Sequence, residues 1–250
     1  MRPDVLIETF VKRIFRNYIY PQFEELADSG IITDDPILFL RNLLGFDILK
    51  ADYDGYGKEW LKLNEELNER RKTKSIEFPK DYDSQLTNTY AVYVLVRKIR
   101  PKIIVETGVA NGVSSFFILN AIKRNCEGQL VSFDINEKAG SLLNDEERQL
   151  WNFLKLDKVN KREFKELFSH IENIDIFIHD SDHSYKWQKF EYLSALSRMR
   201  DGSFLLSDDV DSSYAFIDVV SKFDSELRIN FLIGKTRFFG GVKLEKLAVK

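Results

Sequence analysis

Lys102-Ile-Ile-Val-Glu-Thr-Gly-Val-Ala-Asn-Gly-Val-Ser-Ser115 decides the fold of this chain. Ile103, Ile104 and Val105 form a short β-branched run, the composition of a buried strand. Two glycines mark a loop, and an apolar stretch of helical length follows from Ser114 to Lys123. Strand, glycine loop and helix together make the first corner of a doubly wound α/β sheet.

The spacing inside this corner carries chemistry. A dinucleotide fingerprint reads G-x-G-x-x-G. Here the pattern is E-x-G-x-x-x-G, with Glu106, Gly108 and Gly112. An acid two residues before the first glycine repels a pyrophosphate and suits a cofactor with a cationic or amine-bearing end. A plain strand-turn-helix with glycines for the turn is the alternative.

Working outward toward the C-terminus, the elements alternate. Strands are expected at 103–106, Gln129 to Phe133, Trp151 to Leu156, Ile174 to His179 and Phe204 to Ser207. Helices are expected at 113–124, Asp145–Leu150, Lys161–Ile171, Trp187–Met199 and Ala215–Phe223, with a turn at Arg200-Asp-Gly202. Near-continuous apolar strands separated by helices predict a parallel sheet covered on both faces. Leu227–Ile233 and Arg237–Leu244, joined by a short turn at Gly234-Lys235, predict a terminal antiparallel hairpin. The expected architecture is a Rossmann-like, doubly wound, mostly parallel seven-stranded sheet with that hairpin.

Toward the N-terminus the pattern is helical. Val5, Leu6, Phe10, Ile14, Tyr18 and Ile19 recur at helical spacing. Ser29-Gly30 punctuates, and Asp35-Pro36 supplies an N-cap and a first-turn proline for Ile37 to Leu44. Gly45, Gly55 and Gly57 read as loops, Glu59 to Lys72 as a charged amphipathic helix, and 84–99 as a further helix stopped by Pro101. Residues 1–78 are expected to form a helical extension, a lid or a dimer surface, on a cofactor-binding domain at 79–250.

Composition narrows the class. The 250 residues carry a net charge of −3, so no global basic field calls for nucleic acid. The single cysteine, Cys126, excludes an intrachain disulfide framework and cysteine-based zinc, and suits a reducing cytosol. No apolar run approaches the roughly 20 residues of a membrane span, and Asp4 and Glu8 argue against a signal peptide. A cytoplasmic protein is expected.

Three stretches bear candidate chemistry. Asp134 ends the second parallel strand about 20 residues after the glycine loop, the place of an acid that accepts from ribose hydroxyls; a helix cap is the plainer alternative. His179-Asp180-Ser181-Asp182-His183-Ser184-Tyr185 brings two of three histidines to the end of the fourth strand, where ligands bind and where a histidine exchanges protons near neutrality. Core packing and helix capping are the alternatives there. Leu205-Leu-Ser-Asp208-Asp209 ends the fifth strand. Asp180, Asp208 and Asp209 would then converge, and crowded carboxylates call for protons or a hard cation such as Mg²⁺.

These motifs together resemble the class I S-adenosylmethionine (SAM)-dependent methyltransferases, and within them the macrocin-O-methyltransferase-like group. The resemblance rests on Val105-Glu-Thr-Gly108, Asp134, Arg148-Gln-Leu-Trp151-Asn-Phe153, His179 to Tyr185 and Leu205 to Asp209, and covers about residues 84–245. It implies SAM bound by Glu106, Thr107, Gly108, Gly112, Ser114, Asp134, Ile135, Asp157 and Asp180. Relatives have Gly-Asp-Ser where this chain has Leu156-Asp157-Lys158. The resemblance further implies Mg²⁺ on Asp180, Asp208 and Asp209, with His183 as base and Asp180 as a second catalytic group. The implied activity is methyl transfer to a hydroxyl of a small molecule or saccharide, by a protein expected to form a homo-oligomer. The rival expectations are a hydroxylase-like relative on the same sheet and a non-catalytic assembly protein that keeps the SAM fold.

Overall fold

The computed structural model describes residues 21–223 and 227–245. The helix expected from Val5 to Ile19 lies outside them.

Element order follows the hydrophobic pattern. Helix α1 (Phe23–Ser29) leads into strand β1 (Gly30–Thr33), and α2 (Pro36–Leu44) and α3 (Lys50–Thr73) follow. Asp35 caps α2 by accepting from the Ile37 amide at 2.8 Å, and Gly45 ends it at φ +76°. After a 3-10 turn at Lys80–Tyr82 come α4 (Leu86–Ile99), β2 (Ile103–Thr107) and α5 (Val113–Asn125). Then follow β3 (Gln129–Asp134), α6 (Asp145–Arg148), β4 (Trp151–Lys155) and α7 (Lys161–Phe168). The chain continues through β5 (Ile174–His179), α8 (Tyr185–Leu196), β6 (Met199–Ser207), α9 (Ala215–Phe223), β7 (Ile229–Ile233) and β8 (Phe238–Lys243).

Among the described residues the sheet has eight strands in the order β1-β7-β8-β6-β5-β2-β3-β4. All pairings are parallel except those of β8, which runs antiparallel to both β6 and β7. The expected hairpin is therefore present, and the sheet has one strand more than expected. The addition is β1, read from sequence as punctuation inside a helical segment. It is a four-residue edge strand beside β7, too short to show a period. Gly30 permits the pairing, since a Cβ there would stand 2.3 Å from the Ile229 carbonyl oxygen.

Two other boundaries differ from expectation. Gly55 and Gly57 lie inside α3, a single 24-residue helix, and Gly57 gives room to the Tyr90 hydroxyl. Arg200-Asp-Gly202 is part of β6 rather than a free turn. Arg200 Nε donates to Asp175 at 3.0 Å and Ser203 Oγ donates to the Ile174 carbonyl at 2.7 Å, which carries the pairing across a register shift.

Alternate strand residues feed two cores, as period-two strands must. Ile104, Ile176, Ile178 and Leu206 pack with α2–α5, whereas Val105, Phe177 and Leu205 pack with α7–α9. Phe39, Leu43, Trp60, Leu63 and Leu67 belong to the first of these cores. Residues 36–73 therefore share a core with the sheet.

Candidate active site

The sheet order reverses between β2 and β5, and the crevice beyond such strand ends is where doubly wound sheets bind ligands. Register fixes what emerges there. Thr107, His179 and Ser207 sit side by side as the last paired residues of β2, β5 and β6. The ladder runs one step further: the Asp180 amide donates to Thr107 O and the Asp208 amide to His179 O, both at 2.8 Å. Gly108, Asp180 and Asp208 thus leave the sheet together. Gly108 has φ +81°, and a Cβ on it would lie 1.9 Å from the Asp180 carbonyl oxygen. Only glycine fits this approach.

Above them opens a cavity of about 720 Å³. Phe133, Ile135, Leu156 and Val159 give it an apolar side, Asp134 stands at one wall, and Asp180, His183, Asp208 and Asp209 form the other. Phe78 and Asp81 to Gln85 complete it as a strap.

Asp134 serves the loop directly. Its Oδ2 accepts from the Val109 and Ala110 amides at 2.9 and 3.2 Å, and its Oδ1 accepts from the Asn136 amide at 2.9 Å. Each carboxylate oxygen has more than one acceptor site, so the acid can shape the glycine loop and still face the cavity.

Glu106 has a different place from the one its spacing suggested. It is fully buried, and its carboxylate accepts from Ser114, from Ser115 at 2.6 Å and from Ser132 at 2.9 Å. Burial pushes its carboxyl up and the three hydroxyls pull it back. Glu106, Gly112 and Ser114 are absent from the cavity lining, which takes Thr107 and Gly108 instead. They stand behind the wall and hold it, because the Glu106 side chain points into the seam between β2, β3 and the start of α5. Asp157 also misses the lining. Its side chain is 84% exposed and pairs with Lys155, while Leu156 and Val159 face inward.

The carboxylates of the far wall do converge. His183 Nε2 lies 3.8 Å from both Asp180 Oδ1 and Asp209 Oδ2. Asp180 accepts from Ser84 Oγ at 2.8 Å, and Asp208 from Asn88 Nδ2 at 3.0 Å. Burial and the neighbouring Asp208 charge hold the Asp180 carboxyl well above the usual range. Burial, then Asp209, pushes Asp208 up to about 7. Burial, then His179, drives the His183 imidazole down to about 3, so its ring is neutral at physiological pH. The donor set is not a ready cage for an ion. Among the described residues no group of three or more acidic, histidine or cysteine side chains is disposed to hold a metal. Asp208 Oδ1 is already engaged by Asn88 and by the Asp209 amide.

Sequence reading missed two buried hubs. Asn111, within the glycine loop, accepts from the Glu77 and Phe78 amides and donates to Phe78 O and Asp83 Oδ1, so it ties the strap to the loop. An asparagine beside a loop glycine is a weak but visible cue. Glu191, on α8, accepts from Thr107, His179, Ser181 and Trp187. Nothing in its local sequence sets it apart.

The Rossmann-like sheet, with its glycine loop, Asp134 at the end of β3 and acidic ends of β5 and β6, has the fold of the class I methyltransferases. Residues 105–210 match the family model described as a methyltransferase domain. No curated protein matches the chain. Solved structures show the same fold. One is the Podospora anserina methyltransferase PaMTH1 with SAH bound, at 14% identity and TM-score 0.55, covering 91% of this chain and 99% of that one. Another is TomG, a Streptomyces achromogenes O-methyltransferase involved in tomaymycin synthesis, in complex with SAM; it has 14% identity and TM-score 0.55, covering 67% and 83%. A third, the Bacillus cereus O-methyltransferase with SAH, has 15% identity and TM-score 0.51, covering 83% and 94%. Among the described residues no helix is long and apolar enough to cross a membrane.

Proposed function

We propose that the protein transfers the methyl group of SAM to a hydroxyl of a small molecule or saccharide, with His183 as the base. The observation that carries this reading is the meeting of His183, Asp180 and Asp209 at one wall of the cavity that Asp134 bounds on the other side. The O-methyltransferases among the structural relatives support the choice of a hydroxyl acceptor.

The residues fit the cofactor. Thr107, Gly108 and Val109 line the cavity, Asp134 and Ile135 would take the ribose side, and Phe133, Leu156 and Val159 offer an apolar bed for an adenine. When bound, SAM supplies an electrophilic methyl on a sulfonium sulfur that keeps the electron pair as the carbon–sulfur bond breaks. The chain's own groups align the acceptor, since in-line geometry contributes much of such a rate. Neutral His183 accepts the hydroxyl proton at Nε2, and Asp180 and Asp209 stabilise the imidazolium that forms. Phe78 and Asp81 to Gln85 line the cavity, which supports a lid role for the junction of the N-terminal segment.

The crowding of Asp180, Asp208 and Asp209 supports a divalent cation as a further aid, but their present contacts do not make a site, and no step here passes through one.

Titration calorimetry with SAM and, separately, NAD⁺, each with EDTA or Mg²⁺, tests the reading. Saturable SAM binding, weakened at least about tenfold in Asp134→Ala, is expected, one tenfold loss being about 1.4 kcal/mol. His183→Ala is expected to keep SAM binding and to lose turnover by about 10²–10⁴-fold. Absence of SAM binding under both conditions rejects the proposal.

A further inference from the structure

Pairing of β7 with β8 ends at Ile233 and Phe238, so Gly234-Lys-Thr-Arg237 projects past the sheet as a four-residue turn. It closes on itself, the Gly234 amide donating to Arg237 O at 2.9 Å. Lys235 and Thr236 are exposed, yet Thr236 and Arg237 line the cavity. Arg237 Nε lies 3.9 Å from Asp209 Oδ2, the same oxygen that stands 3.8 Å from His183 Nε2. The turn therefore stands at the His183 wall of the cavity.

Side chains hold it there. On one side Asp211 accepts from the Phe238 amide at 3.2 Å and from Arg237 Nη1 at 3.4 Å. On the other side the Lys235 amide donates to Gln85 Oε1 at 2.6 Å. Gln85 is a fixed post. It opens α4, a helix with Asn88, Thr89 and Ala91 to Val96 buried. Its neighbours Ser84 and Asn88 bond to Asp180 and Asp208 at the ends of β5 and β6. The Gln85 side chain takes no part in capping α4 and is given to the turn instead. Gly234 makes room for it, since a Cβ there would stand 2.3, 2.6 and 2.7 Å from Oε1, Cδ and Nε2 of Gln85. A short turn carried past its sheet and held at a rim by side chains belongs to the part of a fold that opens most readily.

We propose that the turn 234–237 is a flap over the acceptor end of the cavity, latched shut by Gln85. With the latch made, Thr236 and Arg237 wall in the space next to His183. With it broken, the turn swings about Ile233 and Phe238, and that space opens to solvent. Loops of this kind admit ligands and then keep water from a reacting centre. The proposal rests on the reading of the His183 wall as the acceptor end and adds what admits the acceptor. Gln85 acts through the turn, as a positioning residue.

Diethyl pyrocarbonate, a small reagent that acylates neutral imidazole, tests the flap without SAM or an acceptor. Peptide mass spectrometry of the full-length protein reads the rate at His183, with exposed His170 as internal reference. Gln85→Ala removes the latch, and Gly234→Ala pushes the Gln85 amide aside from the turn. Each is expected to raise the His183 rate, relative to His170, at least about fivefold, the population change that goes with one ordinary hydrogen bond. The double variant is expected to match the single ones, since both break the same bond. Lys235→Ala is expected to keep the wild-type rate, because the latch uses the backbone amide of that residue. His179, completely buried, is expected to stay unmodified throughout. An unchanged His183 rate in Gln85→Ala and Gly234→Ala overturns the proposal. So does a Lys235→Ala rate as high as that of Gln85→Ala, or acylation of His179, which would mean unfolding of the site instead of a moving turn. Should one latch variant fail to fold, the other decides. SAM titration of the same samples keeps the two readings apart: a wild type that does not bind SAM rejects the methyltransferase reading and leaves the flap result standing.

Discussion

Single residues in this site are defined by what their neighbours leave them. Asp208 is the sharpest case. It leaves the sheet in register with Asp180 and beside Asp209, is 7% exposed, and its carboxyl is pushed up to about 7, by burial first and then by Asp209. A carboxyl raised on folding binds a proton that the unfolded chain has released, so stability falls as pH rises from about 4 to about 7 and is flat above. Asp208→Asn removes this penalty while its amide oxygen can still accept from Asn88 and the Asp209 amide. In EDTA the variant is expected to melt higher than wild type at pH 8 and to lose that advantage near pH 4. The linkage is worth on the order of 4 kcal/mol by the usual conversion of pKa into free energy, and differential scanning calorimetry across pH reads it. An advantage that does not grow with pH would show that Asp208 is not strained as a charge. The sequence announced this residue type and place. It did not announce Glu191, because a glutamate on a helix is ordinary until Thr107, His179, Ser181 and Trp187 are folded around it.

At the level of elements, the glycine loop and the strap behave as one unit. Asn111 is completely buried and joins them through both ends of its amide. Truncating it to alanine takes the side-chain acceptor from the Glu77 and Phe78 amides, two half-exposed hydrogen bonds worth on the order of 1 kcal/mol each. The amides of Glu77 to Asp83 are expected to exchange with deuterium at least about tenfold faster in Asn111→Ala, with β5 little changed, as befits local opening. Unchanged exchange would mean that the Arg71–Asp83 and Ser84–Asp180 contacts hold the strap without it. Most elements were legible because their apolar period matches their structure: β5 reads Ile-Asp-Ile-Phe-Ile-His and is buried along its whole length. Those that were not legible lacked such a signal. Strand β1 has four residues, and Gly57 of α3 looks like a break until its closeness to the Tyr90 hydroxyl shows why a small residue sits there.

Across the whole molecule, the N-terminal helices and the sheet are expected to unfold together, because Phe39, Trp60 and Leu67 share a core with Ile104, Phe116 and Ile178. A buried ion pair reinforces the joint. Arg70 of α3 forks onto Glu147 at 2.7 and 2.8 Å and donates to Leu142 O at 3.1 Å. Burial alone would raise the Glu147 carboxyl, but Arg70 outweighs it and holds it below its ordinary value. Arg70→Ala leaves that carboxylate buried and unmatched, which costs about 3–5 kcal/mol. Its urea midpoint is expected to fall by roughly 1–2 M, with circular dichroism and tryptophan fluorescence changing together. Two separated transitions would show that residues 36–73 are an independent unit. The sequence by itself determined the alternation of strands and helices, the glycine corner at 106–112, the acid that ends β3 and the acidic ends of β5 and β6, because each is written in local periodicity or spacing. Tertiary structure alone decided that Glu106 stands behind the cavity wall, that Asp157 faces away, and that Glu191 and Asn111 are hubs. Those roles depend on burial and on which strands become neighbours, and neither is a property of a residue's place along the chain.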